Sequence, residues 1–597
     1  MTLSHPTIGL LVAPRGATNR ASATGCHFYI REILAHAGLW FTELQPTSLT
    51  DVLPYFRLLL MVGDLPPAES QAQALRTWVE NGGALIGVGG TSGIESLWGV
   101  EREAPLSGFG LNSPTLGEGY IEIIDAKHPV VSGLRSALHF FNGVPVHATE
   151  AVAIARVLDA HRRPTARAAI CVRHLGQGVT VLIAPDLPGS VAFIQQGRYV
   201  DSDGIPAPDG TAPISDNILK ADDSLVLDWH FDRNTVEGIS YPFFLHPVAD
   251  ELREILIRAL FFCAQTVGAT LPLLWYYPRN LPALALISHD SDGNDLQLAQ
   301  ALLEVVCEQN IRDTWCIQMP GYPCEFYNAL QKAGQEIALH FDALQQGMLS
   351  EWREENLCAQ HEWLKHACGR MPVLSNKNHY TRWQGRNEFF RWCAAQGISN
   401  DQSRGPSKAG EAGFPFGTAH PYFPMEEDGT RIDCLEIGFQ SQDFIIFGPE
   451  AIIAPLVESA ARAHGVAHVI FHPGHIRKPG VADSLRTFVR ECRSRGMEFW
   501  TSAEIDAWER ARRTARLEPT TAGWKIAPEI PLAGATVLVL GDSGSNGWQD
   551  TRCSGNRSPL WMGVPGVYGR HRAGEAVTNK CPLDDIGYIK QTMHRFS

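Results

Sequence analysis

The sequence predicts an α/β protein with two successive domains and a short C-terminal appendage. A chain of 597 residues is longer than a single hydrophobic core usually serves. Apolar runs typical of buried strands alternate with helix-like segments in two series, one before residue 267 and one after residue 281. This alternation favours parallel sheets covered by helices. The expected domain boundaries are 1–267, 281–515 and 516–597.

Composition and charge narrow the classes of function. The chain is 44% hydrophobic and 19% charged, which is typical of a soluble globular protein. Its formal net charge of -14 disfavours binding to nucleic acid or to an anionic membrane, since both select basic surfaces. The 13 cysteines include no Cys-x-x-Cys pair, which favours reduced, buried thiols. The first residues show no secretory signal, so a cytoplasmic location is expected.

The first series predicts a doubly wound parallel sheet. Its strand-like runs are TIGLLVA (7–13), RLLLMVG (57–63) and ALIGVGG (84–90), with the helix-like segments HFYIREILAHAG and ESQAQALRTWVENGG between them. This order is that of successive βαβ units. An uncharged run at 259–277 contains Gly268 and Pro272, and we interpret it as a buried helix followed by a strand rather than as a membrane span.

The segment VENGGALIGVGG in the first series resembles the class I glutamine-amidotransferase-like domains, over roughly residues 5–195. The resemblance implies a flavodoxin-like α/β fold with a nucleophilic cysteine in the turn after this strand. Here the turn consists of Gly89, Gly90, Thr91 and Ser92, without a cysteine. We therefore expect a noncatalytic scaffold, ligand-binding or oligomerisation domain, and homo-oligomer formation through it stays open.

The second series contains about seven or eight β/α units over roughly 230 residues, the size of a barrel domain. In such barrels the catalytic residues come from the C-terminal ends of the strands. Polar residues recur at these ends: His289, Asp290 and Asp292; His340 and Asp342; Lys377, Asn378 and His379; Asp401; His472 and His475. Their convergence on one face predicts a functional site.

The motifs of this series resemble the polysaccharide deacetylase (NodB-homology) family, carbohydrate esterase family 4. The resemblance covers roughly residues 281–512 and depends on a strand followed by HDSDG, on AGQEIALH, on HVIFHP and on GMEFWTSAEIDAWERAR. It implies a distorted (β/α) barrel that holds one divalent metal ion, usually zinc, through an aspartate and two histidines. It also implies removal of acetyl groups from an N-acetylated sugar or polysaccharide.

Residue by residue, the resemblance implies that Asp290 is the general base, Asp292 a metal ligand, His340 the first metal-binding histidine and His472 the general acid. These groups suit metal-assisted hydrolysis. Each also has a structural interpretation when taken alone, since aspartates after a strand form Asx turns and helix caps, and His340 fits a core histidine. Their joint order at one barrel face favours the metal site.

The sequence departs from the family at the second metal-binding histidine, where Leu344 stands four residues after the first. The third ligand then comes from His379 in SNKNHY, which resembles an RxHY pattern of divergent members, or from Asp342. Lys377 takes the place of the family's arginine, which keeps the base ionised. Asp401 resembles the aspartate that orients this basic residue.

The expected substrate is a carbohydrate or a small amide. In the loop PFGTAHPYFP (415–424) the aromatic residues either cover the core or form platforms for sugar rings, and Phe416 and Tyr422 are the candidates. His289, beside the base, is a third candidate for substrate contact. A cytoplasmic location favours an intracellular sugar precursor or conjugate.

Two other functions stay open beside the deacetylase. One is an amidohydrolase of a small cyclic amide on the same fold, and the other is a noncatalytic carbohydrate-binding or assembly protein with a degenerate metal site. Residues 516–597 fit either a small β appendage or a poorly ordered tail.

Overall fold

Within the residues that it describes, the computed structural model is a mixed α/β structure with two nine-stranded sheets. These residues are 8–13, 26–103, 116–213, 216–344, 351–520, 523–527, 532–540 and 568–572. In this part of the chain, every helix is too short or too polar to cross a membrane.

The first sheet combines a parallel block with an antiparallel extension. Its strands are β1 Ile8–Val12, β2 Phe41–Glu43, β3 Leu58–Val62, β4 Ala84–Val88, β6 Glu118–Ile123, β7 Leu138–Phe141, β9 Val152–Asp159, β10 Pro164–Leu175 and β11 Gly178–Ile183, while β5 Val100–Arg102 and β8 Val146–Ala148 pair separately. Strands β2-β1-β3-β4-β11 run parallel in that order, and β10, β9, β6 and β7 continue the sheet antiparallel. The extension departs from the predicted parallel sheet because only Gly176 and Gln177 join β10 to β11, and a two-residue turn joins antiparallel strands alone.

Helices cover this sheet, and the last of them is almost completely buried. The helices are α1 Ile30–His36, α2 Leu49–Val52, α3 Glu69–Glu80, α4 Glu95–Trp98, α5 Leu187–Gln196 and α6 Val248–Thr266. The charged residues of α6 are buried with partners, since Glu251 accepts from Arg135 at 2.7 Å and Arg258 donates to Glu254 at 3.2 Å. The chain continues into β12 Leu271–Leu274, so residues 259–277 are a buried helix and a strand, as interpreted from the sequence.

The second sheet is parallel and curled. Its strands are β13 Leu284–Asp290, β14 Thr314–Ile317, β15 Glu336–Phe341, β16 Ser375–Asn378, β17 Asn400–Asp401, β18 Leu435–Glu436, β19 Ser441–Gln442, β20 Val466–Ile470 and β21 Glu498–Phe499. The order is β18-β17-β16-β15-β14-β13-β20-β19, and β21 also pairs with β13. The helices that connect them are α7 Leu296–Glu308, α8 Cys324–Lys332, α9 Glu354–Ala367, α10 Glu388–Ala395, α11 Ile453–Arg462, α12 Val481–Ser494 and α13 Ser502–Thr514. Because every strand pair is parallel, the carboxyl ends of the strands meet at one edge.

Strand β13 is buried on both faces, which explains its uninterrupted apolar run. Leu284 and Leu286 belong to one hydrophobic cluster, whereas Ala285 and Ile287 belong to another. Successive side chains of a strand point to opposite faces. The same alternation decides which polar residues of the following HDSDG motif face the site.

Buried ion pairs join α13 to α1, across the boundary that we predict near residue 281. Arg513 pairs with Glu32 and, at 3.0 Å, with Glu509. Arg512 donates to the carbonyl of His36 at 2.7 Å. Removing one partner of a buried pair leaves an uncompensated charge, so these contacts tie the two regions together. The boundary itself stays a prediction.

The described part of the C-terminal region is made of strands. These are β22 Arg516–Thr520, β23 Gly523–Ala527, β24 Thr536–Leu540 and β25 Tyr568–Arg572. Strand β24 pairs antiparallel with both β12 and β25. The alternative of a poorly ordered tail falls on residues outside those that the structure describes.

A histidine in the first sheet predicts a pH dependence of stability. His139 is buried on β7, 2.7 Å from Asp232 and 3.1 Å from Glu118. Burial lowers the pKa of His139, but the two carboxylates outweigh it and raise the pKa to about 9. Since this value exceeds the unfolded value of about 6.5, the stabilisation is complete below pH 6.5 and is lost as the pH rises through 9, by about 3 kcal/mol in total.

This loss is measured by chemical denaturation of the wild type and His139→Gln at pH 6.5 and pH 9.5. The variant should be less stable at pH 6.5, and its difference from the wild type should nearly disappear at pH 9.5. An equal difference at both pH values would contradict the assignment.

Candidate active site

Strand alternation separates the residues of the HDSDG motif. Ser288 and Asp290 lie on the face of β13 that carries Leu284 and Leu286, whereas His289 points to the other face. There His289 is fully buried, 2.7 Å from Asp313 and 2.9 Å from the carbonyl oxygen of Phe471. The structure thereby corrects the predicted substrate contact of His289, because both ring nitrogens are engaged in the core.

Asp292, His340 and His379 lie together at the carboxyl edge of the second sheet. The Nε2 atoms of His340 and His379 lie 3.1 Å and 3.6 Å from the same oxygen, Oδ1 of Asp292. Two ligand atoms at about 2.1 Å from a tetrahedral cation are separated by about 3.4 Å. The observed distances lie on either side of this value, so the three predicted ligands fit one small divalent cation.

The second nitrogen of each imidazole supports the same conclusion. Nδ1 of His340 lies 3.0 Å from the carbonyl oxygen of Lys377, and Nδ1 of His379 lies 3.2 Å from Oδ1 of Asp342. The amide nitrogen of Gln318 lies 3.1 Å from the same Nδ1, and the opposite orientation of this amide presents its oxygen to an Nδ1–H. Metal-binding histidines usually donate this N–H to a carbonyl or carboxylate, which leaves Nε2 as the ligand. Asp342, the alternative third ligand, therefore lies behind His379 rather than beside it.

Asp290 has a buried carboxylate oxygen that accepts no hydrogen bond from the described residues. The residue is only 5% exposed, and its Oδ1 has no hydrogen-bond partner among the described residues. The ammonium of Lys377 lies 3.6 Å from Oδ1, while Nε2 of His340 and Nε2 of His472 lie 3.9 Å and 4.0 Å from Oδ2. Asp290 thus faces positive or polar groups from three strands and keeps a free lone pair.

His472 faces both carboxylates of the motif and is held from behind by Asp443. Its Nε2 lies 3.8 Å from Oδ2 of Asp292, and its Nδ1 donates to Oδ2 of Asp443. The backbone N–H of His472 also donates to Asp443, at 2.9 Å, and His475 lies 2.9 Å from the same carboxylate. Asp443 therefore fixes the position and the orientation of the ring, with Nε2 facing the two carboxylates of the motif.

The charges around the site shift the pKa values of two of its groups in opposite directions. Burial alone lowers the pKa of His472, but Asp443, Asp290 and Asp292 outweigh it and raise the pKa to about 9. Burial alone raises the pKa of Asp292, but the hydrogen bond and charge of His340, with the charges of His472 and His379, hold it well below its usual range. A cationic imidazole and an anionic carboxylate therefore coexist at neutral pH.

The predicted link between Asp401 and Lys377 is absent from the ion pairs of the described residues. Asp401 pairs in register with Asn376, so it lies on the opposite face of the sheet from Lys377. It accepts from Asn376 at 2.8 Å and from Ser403 at 2.8 Å. Burial raises the pKa of Asp401 despite these bonds. The structure corrects its role as the residue that orients Lys377.

Phe416 and Tyr422 belong to the core rather than to an open sugar-binding surface. Phe416 is 5% exposed, with its ring under the guanidinium of Arg404 at 5.2 Å. Tyr422 is 3% exposed, and its hydroxyl donates to the carbonyl of Gln195 at 2.7 Å. Of the two interpretations of this loop, core cover is the one that the structure favours, and the predicted substrate contacts are corrected.

Sequence reasoning missed three residues of the site: Asp443, Ser288 and His468. Strand alternation predicts that Ser288 lies on the same face of its strand as Asp290. It likewise predicts that His468 lies on the same face as Ile470, two residues before His472. The sequence therefore contained a signal for both residues. Asp443 follows the two-residue strand β19 and begins no periodic segment. His475 contacts Asp443 in the structure, whereas the sequence alone predicts a simple loop residue at this position.

The chain matches no protein-family model and no curated protein. Among solved structures, it is similar to the allantoinase Puue, with 14% identity, 39% of this chain and 91% of that chain covered, and a TM-score of 0.31. It is also similar to a family 4 acetyl xylan esterase from Clostridium thermocellum in complex with a cobalt ion, with 13% identity, 37% and 89% covered, and a TM-score of 0.23.

A β-galactosidase from Bacillus circulans matches with 13% identity and a TM-score of 0.24. The match covers 31% of this chain and only 29% of that chain. Similarities at these identities and TM-scores carry no conclusion about activity.

The geometry predicts that the chain binds one divalent cation through Asp292, His340 and His379. Asp292→Asn, His340→Gln and His379→Gln should each abolish stoichiometric zinc, as measured by elemental analysis of the purified protein. Asp342→Asn should weaken zinc affinity by about 10- to 100-fold, because it removes only the group that orients His379.

His161, exposed in the turn between β9 and β10, offers the matched control His161→Gln, which should keep its zinc. Full zinc content in His379→Gln would show that the third ligand lies elsewhere.

Proposed function

We propose that this protein is a metal-dependent hydrolase of amide C–N bonds that deacetylates an N-acetylated sugar. The observation that carries the proposal is the free oxygen of Asp290, which lies beside the triad of Asp292, His340 and His379 and opposite a cationic His472. A base, an acid and a cation site at one strand edge are the parts that amide hydrolysis requires.

Asp290 is the general base in this proposal. Its Oδ1 accepts a proton from the attacking water as the water oxygen bonds to the carbonyl carbon. The ammonium of Lys377, at 3.6 Å, forms an ion pair with this carboxylate and is too far away to occupy its lone pair.

His472 is the general acid. When the C–N bond breaks, the amine nitrogen needs a proton, and the imidazolium of His472 can donate it from Nε2. Asp443 holds the opposite nitrogen, so the donor atom faces the site throughout. The products are acetate and the free amino sugar.

Zinc is the proposed ion, because one carboxylate and two imidazoles form a mixed N/O donor set. When bound, it would polarise the amide carbonyl and lower the pKa of a water molecule in the site. Asp292, His340 and His379 would hold it, with Asp342 and the Lys377 carbonyl fixing the two rings.

The first region is proposed to be a flavodoxin-like, noncatalytic domain, and the location to be cytoplasmic. The order β2-β1-β3-β4-β11 supports this fold, since doubly wound flavodoxin-like sheets have strand order 2-1-3-4-5. In the turn after β4, Ser92 is buried, and its hydroxyl accepts from the N–H of Leu65 at 3.0 Å. The same hydroxyl donates to the carbonyl of Gly63 at 3.4 Å, and this engagement with two backbone groups supports a noncatalytic turn.

The zinc-loaded protein is expected to release acetate from chito-oligosaccharides. Asp290→Asn and His472→Gln should each lower kcat by about 10²- to 10⁴-fold, since each removes one proton-transfer group, while zinc content stays at one ion per chain. Acetate release and elemental analysis measure the two effects.

Asp483→Asn is the matched control, because this aspartate is exposed on α12, and it should keep wild-type activity. Hydrolysis of allantoin without deacetylation would favour the small cyclic amide as substrate. Binding of oligosaccharide without any acetate release by the zinc-loaded protein would contradict the enzymatic function.

A further inference from the structure

A chain of hydrogen bonds lies directly beneath Asp290. The ammonium of Lys377 donates to the hydroxyl of Ser288, and this hydroxyl lies 2.8 Å from Nε2 of His468. Nδ1 of His468 lies 3.1 Å from the carbonyl oxygen of Ile437. Lys377, Ser288 and His468 have no exposed surface, so water does not complete their hydrogen bonds.

The direction of every hydrogen bond in this chain follows from Lys377. An ammonium only donates, so the oxygen of Ser288 is the acceptor, and the hydroxyl hydrogen is left to donate to Nε2 of His468. That nitrogen therefore carries no hydrogen, and Nδ1–H donates to the carbonyl of Ile437. His468 must be neutral, and burial together with the charge of Lys377 lowers its pKa well below the usual value.

These hydrogen bonds hold the ammonium of Lys377 at an unusual distance from the carboxylate of Asp290. Lys377 lies 3.6 Å from Oδ1 of Asp290, beyond hydrogen-bond length, although Asp290 is its ion-pair partner on this face. The ring of Phe439, 5.1 Å from the ammonium, lies against it as well. Without the hydroxyl of Ser288, the lysine side chain is long and flexible enough to move onto the carboxylate.

We propose that Ser288 and His468 are positioning residues that hold the Lys377 ammonium short of Asp290. In this position the ammonium leaves the lone pair of Oδ1 free for the proton from water. The inference rests on the proposed function, in which Asp290 is the general base. Neither Ser288 nor His468 contacts the Asp292, His340 and His379 triad through any hydrogen bond or ion pair of the described residues.

The test is a double-mutant cycle between Ser288→Ala and Lys377→Met in the zinc-loaded full-length protein, with chito-oligosaccharides as substrate. Ser288→Ala should lower kcat by about 10- to 100-fold, as expected for a misplaced charge at the reacting group, with little change in KM. In the Lys377→Met background the same substitution should have almost no further effect on kcat, because the group it positions is gone.

Three further variants separate positioning from general destabilisation. His468→Gln keeps an acceptor oxygen for Ser288 and should retain most of the activity, whereas His468→Leu should resemble Ser288→Ala. Ser190→Ala removes an equally buried hydroxyl from α5, and it should lower the thermal midpoint without changing kcat. Zinc content is measured for every variant and should stay at one ion per chain.

The proposal is overturned if Ser288→Ala keeps wild-type kcat, or if it lowers kcat equally with and without Lys377. If the zinc-loaded wild type deacetylates nothing, the proposed function fails. The thermal midpoints of the same variants then test whether Ser288 positions the Lys377 ammonium. Non-additive midpoints for Ser288→Ala and Lys377→Met then support it, and additive midpoints overturn it.

Discussion

The candidate site depends on one buried positive charge, the ammonium of Lys377. An isolated ammonium with no exposed surface is strongly unfavourable, and Asp290 supplies the opposite charge from the neighbouring part of the same sheet face. The backbone carbonyl of the same residue accepts the N–H of His340, so Lys377 also orients a proposed metal ligand. One residue of β16 therefore connects the proposed base to the proposed cation site. A change in the register of β16 would disturb both at once.

The register of β15 and β16 also explains how a third candidate ligand reaches the site although position 344 is a leucine. His340 pairs with Lys377 and Phe341 with Asn378, so the strand ends lie side by side. His379, the residue immediately after β16, then reaches Asp292 from the neighbouring strand, while Leu344 belongs to the segment after β15. Asp342 orients the substituted ligand through its other nitrogen. The third donor atom of the candidate cation site therefore comes from the strand next to β15.

The sequence predicted the features that a local pattern determines: the two α/β series, the parallel second sheet and the residues Asp290, Asp292, His340, His379 and His472 at one edge. It was less informative where a side chain's face or a distant contact decides the role. The predicted roles of His289 and Asp401 differ from the structure because of strand alternation and register, since one residue of offset moves a side chain to the opposite face. Asp443 reaches His472 from a short strand 29 positions earlier, and no local pattern marks such a contact. Phe416 and Tyr422 were ambiguous because aromatic residues in a loop fit a core and a binding surface equally well.

Two carboxylates that are two residues apart can have different roles because their surroundings differ. Asp290 lies within β13, is almost completely buried and keeps an oxygen without a hydrogen bond. Asp292 lies just beyond the strand, where Gly293 adopts φ of 72°, and its side chain is 38% exposed and faces three imidazoles. An aspartate among imidazoles and open to solvent suits a cation, whereas an enclosed aspartate beside a fixed ammonium suits proton transfer. The strand ends at Asp290, and Ser291, with φ of -82° and ψ of 27°, turns the backbone before Asp292. This turn separates the surroundings of the two carboxylates, since a strand that continued straight would place both on the same buried face.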